Sequence, residues 1–328
     1  MQTSFKKLCH GYNLSEKEAY QLFQNILNND LNATQISAIM TFYIARPITV
    51  NELIGFRKSL LDVCVPVKLD KKAIDVCGTG GDEKNTFNIS TLSALVLATS
   101  GVPVAKHGNY GSSSVSGSSD ILKHLGYQFK SNSEDLNREL NEHNICFMHA
   151  PLFHPALKAV AVQRKELGVK TFFNMLGPLV NPANIDFRYI GVFGLEIARI
   201  YKYILQKNDD KFCLVHSLDG YDEVSLTSSC KYISSVSEKL IEPDTFGFNT
   251  LSQESIFGGN TIQENGIIFL NVLQNKCTQA QKNVVIANSA LAMNAYDTKK
   301  TLEDCIEICK ENIESKKTYT LFKNLIAN

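Results

Sequence analysis

The chain has 328 residues, which is enough for a sizeable hydrophobic core and, by typical domain sizes, for about two domains. Its 33 basic and 33 acidic residues balance, so the overall charge gives no reason to expect a polyanion such as DNA as a partner. No run approaches the roughly 20 apolar residues that span a bilayer, and the start of the chain lacks the apolar region of a signal peptide. We therefore expect a cytoplasmic protein that binds neither nucleic acid nor a membrane.

Nine cysteines are scattered along the chain without a C-x-x-C spacing. This pattern favours reduced thiols in a reducing compartment over a disulfide framework. Cys305 and Cys309 would share one helix face, but no histidine accompanies them. We therefore expect these two thiols to pack in the core and not to hold a metal.

The first part of the chain is predicted to be helical. Ser15 with Glu18, and Thr49 with Glu52, fit the S/T-x-x-E capping box that begins a helix. Between them, residues 34–45 carry apolar side chains at helical spacing, and a proline follows. We predict an all-helical domain over residues 1–70, joined by helices around residues 155–185, which serves dimerisation or forms a wall for a larger domain.

From residue 73 onward, short apolar runs alternate with helical stretches, which is typical of an α/β layer with mostly parallel strands. The expected fold class is α/β: a small all-helical N-terminal domain plus a larger α/β domain, residues 71–328, with a mostly parallel central sheet flanked by helices. The predicted strands cover residues 73–77, 102–106, 145–149, 189–193, 212–216 and 224–227. Gly101, Gly126 and Gly168 are predicted to end helices.

A glycine-rich loop follows the first predicted strand. The segment D-V-C-G-T-G-G-D places Gly78, Gly80 and Gly81 between an apolar run and a helix that opens near Ser90. Glycine lets backbone N–H groups approach a ligand closely, and a helix N-terminus favours negative charge. The spacing fits neither the P-loop nor G-x-G-x-x-G, so the loop could bind an anion such as phosphate or could be a simple tight turn.

A second loop of this kind follows the next strand. Lys106 is followed by H-G-N-Y-G, then by three serines and G-S-S. Such a Ser/Gly run could be a flexible linker, but its position between a strand and a helix favours anion binding. His107 could equally be a turn residue with structural partners.

Two further segments carry charged or titratable side chains. His154 and Pro155 begin a helix that carries Arg164, whose default interpretation is a solvated salt bridge. Asp222 and Glu223 follow an Asp-Gly turn, which could be a solvated hairpin tip. Adjacent carboxylates also suit Mg²⁺, which takes one or two of them while substrate phosphates complete its octahedron.

Taken together, these motifs resemble the anthranilate phosphoribosyltransferase family. They are G-T-G-G-D, N-I-S-T, K-H-G-N, the Ser-rich loop, H-A-P-L-F-H-P, F-F-N-M-L-G-P-L-V-N-P and D-G-Y-D-E, in the family's order and at its spacing. The resemblance covers nearly the whole chain. It implies the fold shared with pyrimidine nucleoside phosphorylases, a cleft between the two domains, and a homodimer formed through the helical domains.

The resemblance also implies site residues. Contacts to 5-phosphoribosyl 1-pyrophosphate (PRPP) would fall on Gly78, Gly81, Asp82, Thr86, Asn88, Ile89, Ser90, Thr91, Lys106, His107, Gly108, Asn109, Tyr110, Gly111, Ser112, Ser113, Ser114 and Ser118. Contacts to anthranilate would fall on Gly78, Asn109, His154, Arg164 and Pro178. Mg²⁺, expected as two ions per subunit, would be held by Ser90, Asp222 and Glu223.

The implied reaction transfers the phosphoribosyl group of PRPP to the amine of anthranilate, releasing pyrophosphate, a step of tryptophan biosynthesis. Arg164, His107 and Asn109 are the expected catalytic residues, with Arg164 gripping the anthranilate carboxylate. The arylamine is neutral at pH 7, so no strong general base is demanded, and His107 is the nearest candidate to accept the proton.

The chain departs from the family's pattern at three positions. Tyr110 stands where many members have Arg, Glu83 stands where Gly is frequent, and Lys165 replaces a frequent Arg. The competing interpretations are a nucleoside phosphorylase of the same fold and a catalytically silent relative that binds nucleic acid. The acid pair argues against the first, and the balanced charge argues against the second.

Overall fold

The structure is a computed structural model that describes residues 2–111 and 114–327. The α-helices are α1 (Gln2–Cys9), α2 (Glu16–Leu27), α3 (Ala33–Ala45), α4 (Val50–Asp62), α5 (Ile89–Thr99), α6 (Ser118–His124), α7 (Ser133–His143), α8 (Ala150–Phe153), α9 (Ala161–Leu167), α10 (Leu195–Lys207), α11 (Ile262–Leu273), α12 (Gln279–Tyr296), α13 (Leu302–Glu314) and α14 (Lys317–Ala327). The strands are β1 (Ile74–Gly78), β2 (Val104–Gly108), β3 (Ile145–His149), β4 (Phe187–Gly191), β5 (Phe212–Ser217), β6 (Cys230–Ser234) and β7 (Glu238–Ile241). None of the helices in these ranges has the length and apolar character needed to cross a membrane.

The chain divides into two compact units. The helical unit comprises Met1–Val67 and Ala150–Pro182, and the sheet unit comprises Lys68–His149 and Ala183–Asn328. The helical unit therefore takes its helices from two separate stretches of sequence. All seven strands lie in the sheet unit.

Helix packing in the helical unit is centred on aromatic rings. Phe23 of α2 stacks on Phe56 of α4 with ring centroids 4.9 Å apart, and Phe56 lies 4.8 Å from Phe172. Helices α2 and α4 approach closely at Gly55, where a β-carbon would lie 2.4 Å from the carbonyl oxygen of Glu16. Both predicted capping boxes are present at the starts of these helices. The sequence alone predicted these helix starts, because in a capping box the side chains and the unpaired helix-start amides that they satisfy all lie within four residues.

The sheet unit contains one seven-stranded sheet in the order β3-β2-β1-β4-β5-β6-β7. The first five strands pair in parallel, and β6 and β7 complete the edge in antiparallel pairing. Helix α5 packs against this sheet and is apolar on nearly every side, so most of its residues are buried. The predicted α/β class with a mostly parallel sheet is confirmed.

One predicted strand is wrong. Residues 224–227 form no strand, because Leu226 adopts a left-handed φ of 60° and the backbone of Val224 pairs with a side chain. The amide of Val224 donates to Oδ1 of Asn288 at 3.0 Å, and Nδ2 of Asn288 donates to the Val224 carbonyl at 2.9 Å. The hairpin β6–β7 follows instead.

Candidate functional site

The candidate site lies at the carboxyl ends of parallel strands β1, β2 and β5, in the sheet unit. In open α/β sheets ligands bind at this edge, because the strand-to-helix loops and helix N-termini meet there. Here the three loops after these strands are the glycine loop, the Ser-rich loop and the acidic turn that the sequence singled out. The topology alone therefore brings three of the predicted elements to one edge.

The glycine loop lies directly against the acidic turn. The amide of Gly80 donates a hydrogen bond to Oδ2 of Asp222 at 2.7 Å. Gly80 and Gly81 adopt φ angles of 64° and 78°, which L-residues with side chains rarely adopt. At Gly78 a β-carbon would lie 2.4 Å from the same Asp222 oxygen. Glycine is thus required here both for the turn and for the close approach.

Asp222 and Glu223 are buried, at 7% and 8% exposure. Burial raises the pKa of Asp222, and the neighbouring Asp82 carboxylate raises it further. Burial also raises the pKa of Glu223, with a contribution from Asp222, while Lys106 and the backbone amide of Ser90 oppose the shift. Two adjacent carboxylates out of water are costly unless a cation or hydrogen-bond donors compensate them.

The helix start at Ser90 and the end of β2 meet beside this acid pair. Nζ of Lys106 contacts the carbonyl oxygen of Val76 and lies 3.3 Å from Oγ of Ser90. Lys106 is 2% exposed, so its charge is held by β1 and by the first turn of α5. The structure therefore brings together Ser90, Lys106 and Glu223 from three separate segments.

The Ser-rich loop is closed by one carboxylate. Oδ2 of Asp120 accepts hydrogen bonds from the amides of Gly111 and Gly117, at 2.7 and 2.9 Å. A β-carbon on Gly108 would lie 2.2 Å from Oγ of Ser118, so the two ends of the loop are in contact. The predicted site residues Ser112 and Ser113 lie outside the described residues.

Two members of this loop region have aromatic or backbone partners of their own. The ring of Tyr110 lies edge-on to His149, with centroids 4.6 Å apart. His107 is 6% exposed, and its amide donates to Oδ1 of Asp75 at 3.1 Å. Because neighbouring residues of a strand point to opposite faces, the His107 side chain lies on the face of β2 away from Lys106.

The remaining predicted site residues lie in the helical unit. The Arg164 guanidinium lies over the ring of Phe173, 5.1 Å from its centroid, and burial lowers its pKa. Among residues 2–111 and 114–327, no carboxylate forms an ion pair with Arg164. The salt-bridge alternative is therefore not observed. His154 is buried and its Nε2 lies 2.8 Å from the carbonyl oxygen of Val180, while Pro178 is buried in a short 3₁₀ turn.

The donor set matches magnesium better than softer metals. Asp222, Glu223 and Ser90 offer only oxygen, and oxygen is what Mg²⁺ prefers. Within the described part of the chain, no group of three or more His, Cys, Asp or Glu side chains is arranged to hold a metal ion. A site with two carboxylates would need further oxygens, as Mg²⁺ bound to a phosphorylated substrate has.

Comparison with known proteins gives the family. The profile described as "Glycosyl transferase family, a/b domain" matches residues 70–319, and "Glycosyl transferase family, helical bundle domain" matches residues 2–64. The anthranilate phosphoribosyltransferase of Cytophaga hutchinsonii is 46% identical over 99% of this chain and 100% of its own length. The chain belongs to the anthranilate phosphoribosyltransferase family. The family expected from the motifs is therefore confirmed.

Solved structures of this family have the same fold. The crystal structure of anthranilate phosphoribosyltransferase from Thermus thermophilus has a TM-score of 0.90 at 29% identity, over 99% of this chain and 98% of that one. The Saccharomyces cerevisiae enzyme, in complex with PRPP and Mg, has a TM-score of 0.91 at 26% identity, over 99% of this chain and 96% of that one.

One departure from the anthranilate phosphoribosyltransferase pattern has a simple backbone explanation. Glu83 adopts a φ of 61°, a conformation that favours glycine, which is the residue frequent in the family at this position. Its side chain is exposed. Glu83 therefore adds modest local strain without burying another charge among the acids.

Sequence reasoning missed three residues that hold these anthranilate phosphoribosyltransferase loops in place. Asn288 fixes the backbone after Glu223, and Ser116 and Asn265 form a buried hydrogen-bonded pair at 3.0 Å. The available signal was a polar residue in an apolar helix, and only Asn288 carried it, because Gln263 and Glu264 precede Asn265. A buried amide in such a setting must find partners, but the sequence does not say which.

Proposed function

We propose that the protein is an anthranilate phosphoribosyltransferase that converts PRPP and anthranilate to N-(5-phosphoribosyl)anthranilate and pyrophosphate, in tryptophan biosynthesis. The observation that carries this proposal is the meeting of Gly80, Asp222 and Lys106 with Ser90 and Glu223 at one edge of the sheet. Backbone donors, one buried cation and an acid pair form a set suited to a metal-bound diphosphate. The family relationship supplies the two substrates.

PRPP is held by the glycine loop, the start of α5 and the Ser-rich loop. The amides of Gly78 and Gly81 and the N-terminus of α5 supply donors, and Lys106 supplies charge. Asp82, Thr86, Asn88, Ile89, Thr91 and residues 107–114 with Ser118 complete the proposed contacts.

Two Mg²⁺ ions per subunit are proposed, held by Ser90, Asp222 and Glu223. The fit is supported by the burial of both carboxylates and by their exclusively oxygen donors. When bound, Mg²⁺ neutralises charge on the pyrophosphate leaving group. Asp222 is oriented for this by the amide of Gly80, and Glu223 by the Ser90 amide.

The proposed anthranilate contacts are those that the family resemblance implies: Gly78, Asn109, His154, Arg164 and Pro178. Arg164 is the residue that recognises the anthranilate carboxylate, because a guanidinium can donate two parallel hydrogen bonds to a carboxylate. Its guanidinium lies over the Phe173 ring, and no described acid forms an ion pair with it. The chain thus orients the amine by holding the carboxylate, and orientation accounts for much of the expected rate enhancement.

The charges of the reaction match these groups. Negative charge develops on the departing pyrophosphate, where Lys106 and the loop amides stabilise it. The amine of anthranilate attacks as a neutral group and loses its proton afterwards, so we assign no general base. His107, near the carboxyl end of β2, is the nearest proposed group to accept that proton.

A cytoplasmic homodimer formed through the helical unit completes the proposal. Exposed apolar side chains support it, including Ile44 at 46% and Val162 at 58% exposure. Light scattering on the purified protein tests it, and a monomeric mass at micromolar concentration would contradict it.

The activity is tested by following anthranilate fluorescence with PRPP and Mg²⁺. We expect consumption that requires both PRPP and the metal and stops with a chelator. A chain that consumes no anthranilate under these conditions contradicts the proposal. Phosphorolysis of a pyrimidine nucleoside by inorganic phosphate, in place of that activity, would identify a nucleoside phosphorylase.

A further inference from the structure

Asn265 of helix α11 has a buried carboxamide that the proposed reaction does not use. The residue is 2% exposed. Its Nδ2 donates to Oγ of Ser116 at 3.0 Å, and its Oδ1 accepts from the amide of Gly259 at 2.7 Å. One amide therefore joins the Ser-rich loop to the segment that precedes α11.

The first of these bonds continues to a proposed PRPP contact. Oγ of Ser116 donates to Oδ1 of Asn88 at 3.2 Å, and Nδ2 of Asn88 donates to the carbonyl oxygen of Ser116 at 3.2 Å. The Ser116 hydroxyl has only one proton, so it can donate to Asn88 or to Asn265 but not to both. Because Asn265 presents its Nδ2 donor to Ser116, that proton is available to Asn88. We call the hydrogen bonds from Asn265 through Ser116 to Asn88 the relay. The Asn265 amide fixes the direction of these bonds and thereby the rotamer of Asn88.

The second bond supports the same loop from the other side. The amide of Gly258 donates to the carbonyl oxygen of Asn85 at 2.6 Å, and a β-carbon on Gly258 would lie 2.9 Å from both Oδ1 of Asn265 and the carbonyl oxygen of Thr86. Residues 257–259 are therefore packed against the backbone that leads to Asn88. Asn265 braces this backbone through Gly259 and the Asn88 side chain through Ser116.

We infer that Asn265 is a positioning residue for PRPP, acting through Ser116 on Asn88 and through the backbone of residues 258–259 on Thr86. The inference rests on the proposed function, in which Thr86 and Asn88 contact PRPP. It predicts an effect on one substrate only, because none of the residues in this chain of hydrogen bonds is assigned to anthranilate.

The test is Asn265→Asp in the full-length enzyme. Aspartate keeps the oxygen that accepts from Gly259 but cannot donate, so the Ser116 hydroxyl turns toward it and releases Asn88. We expect the KM for PRPP to rise by about tenfold, the value of one lost hydrogen bond, while the KM for anthranilate changes by less than about twofold. The stabilisation of the protein against heat by PRPP with Mg²⁺ should fall in parallel.

The matched control is Asn312→Asp. Asn312 is also buried, and its Nδ2 donates to Oγ of Ser100 at 2.9 Å, away from the loops of the site. It should lower the thermal midpoint as Asn265→Asp does and leave both KM values unchanged. A PRPP effect equal in the two variants would show that Asn265 is merely structural and would overturn the inference.

Ser116→Ala cuts the relay without placing a charge in the core and serves if Asn265→Asp does not fold. It should also raise the KM for PRPP, and adding Asn265→Asp to it should produce little further change, because both break one relay. Unchanged PRPP affinity in Ser116→Ala, or equal losses for both substrates, would overturn the inference. Failure of the wild-type enzyme to use PRPP would instead overturn the proposed function.

Discussion

Gly78 and Asp222 are in contact across the site: a β-carbon on Gly78 would lie 2.4 Å from Oδ2 of Asp222, the oxygen that accepts the Gly80 amide. The end of β1 and the acidic turn after β5 are therefore packed so closely that a methyl group on Gly78 would clash with the Asp222 carboxylate. The position of the Asp222 carboxylate is therefore set by the absence of a side chain on β1.

Gly78→Ala should reduce kcat/KM by about a hundredfold or more, because the carboxylate must move by the order of 1 Å. The enzyme should remain folded, since the group that must yield is a side chain. The measurement is steady-state kinetics together with circular dichroism. Gly194→Ala is the matched control, because a β-carbon there meets nothing within 4 Å. Equal activity of the two variants would contradict a positioning role for Gly78.

Replacing both acids, as Asp222→Asn with Glu223→Gln, should abolish Mg²⁺-dependent turnover, with a loss of about a thousandfold or more. The reason is that the amides keep the shape but lose the charge that holds the metal. Mg²⁺ with PRPP should no longer raise the thermal midpoint.

The control for the acid pair is Asp219→Asn. The Asp219 carboxylate accepts hydrogen bonds from Thr227 and Ser228, at 2.6 and 2.7 Å. Its loss should lower stability without changing the Mg²⁺ concentration that gives half-maximal rate. If Asp219→Asn shifted that concentration as strongly as the double variant does, the assignment of the metal ligands would be wrong.

Arg164→Ala should raise the KM for anthranilate by about tenfold or more and change that for PRPP by less than about twofold. Only anthranilate offers this guanidinium a carboxylate. Arg164→Lys should not restore affinity, because an ammonium lacks the bidentate geometry. Arg199→Ala is the control, since Arg199 also lies over an aromatic ring, that of Tyr203, on the exposed side of α10. Equal losses for both substrates in Arg164→Ala would count against carboxylate recognition.

Local signals predicted much of the fold. The capping boxes at Ser15 and Thr49, and the apolar runs of the five parallel strands, are visible in short stretches because the interactions that they report are short in sequence. The hairpin β6–β7 was missed because β7 is short, lies at the sheet edge and carries exposed charges, and β6 is only partly buried. Residues 224–227 (V-S-L-T) were predicted as a strand because apolar and polar side chains alternate there. The backbone of Val224 instead pairs with Asn288, which is remote in sequence, and Leu226 adopts a left-handed φ.

The candidate site was predicted less evenly. The glycine loop, Lys106 and the acid pair were predicted from residue type, since anion and metal binding demand those types, and the structure brings them to one edge of the sheet. The alternation of β2 places His107 and Lys106 on opposite faces of the strand, and the role of His107 as proton acceptor stays a prediction. The relay from Asn265 through Ser116 to Asn88 could not be read from the sequence, because it joins three segments by hydrogen bonds that only the folded backbone defines.

Glu139 of α7 makes stability depend on pH, because burial raises its pKa from 4.5 to about 7 while Oη of Tyr127 donates to its carboxylate at 2.5 Å. A raised carboxyl pKa means that the folded protein keeps a proton that the unfolded chain loses. The contribution of this group to stability is therefore full below about pH 4.5 and is lost as the pH rises to about 7, a fall of roughly 3 kcal/mol.

Glu139→Gln, which keeps an acceptor for Tyr127 but cannot ionise, should remove that fall. Urea denaturation at pH 5 and pH 8 measures it, with Glu142→Gln, an exposed acid on the same helix, as the control that should retain the fall. A wild-type pH dependence that persists unchanged in Glu139→Gln would place its origin in another group.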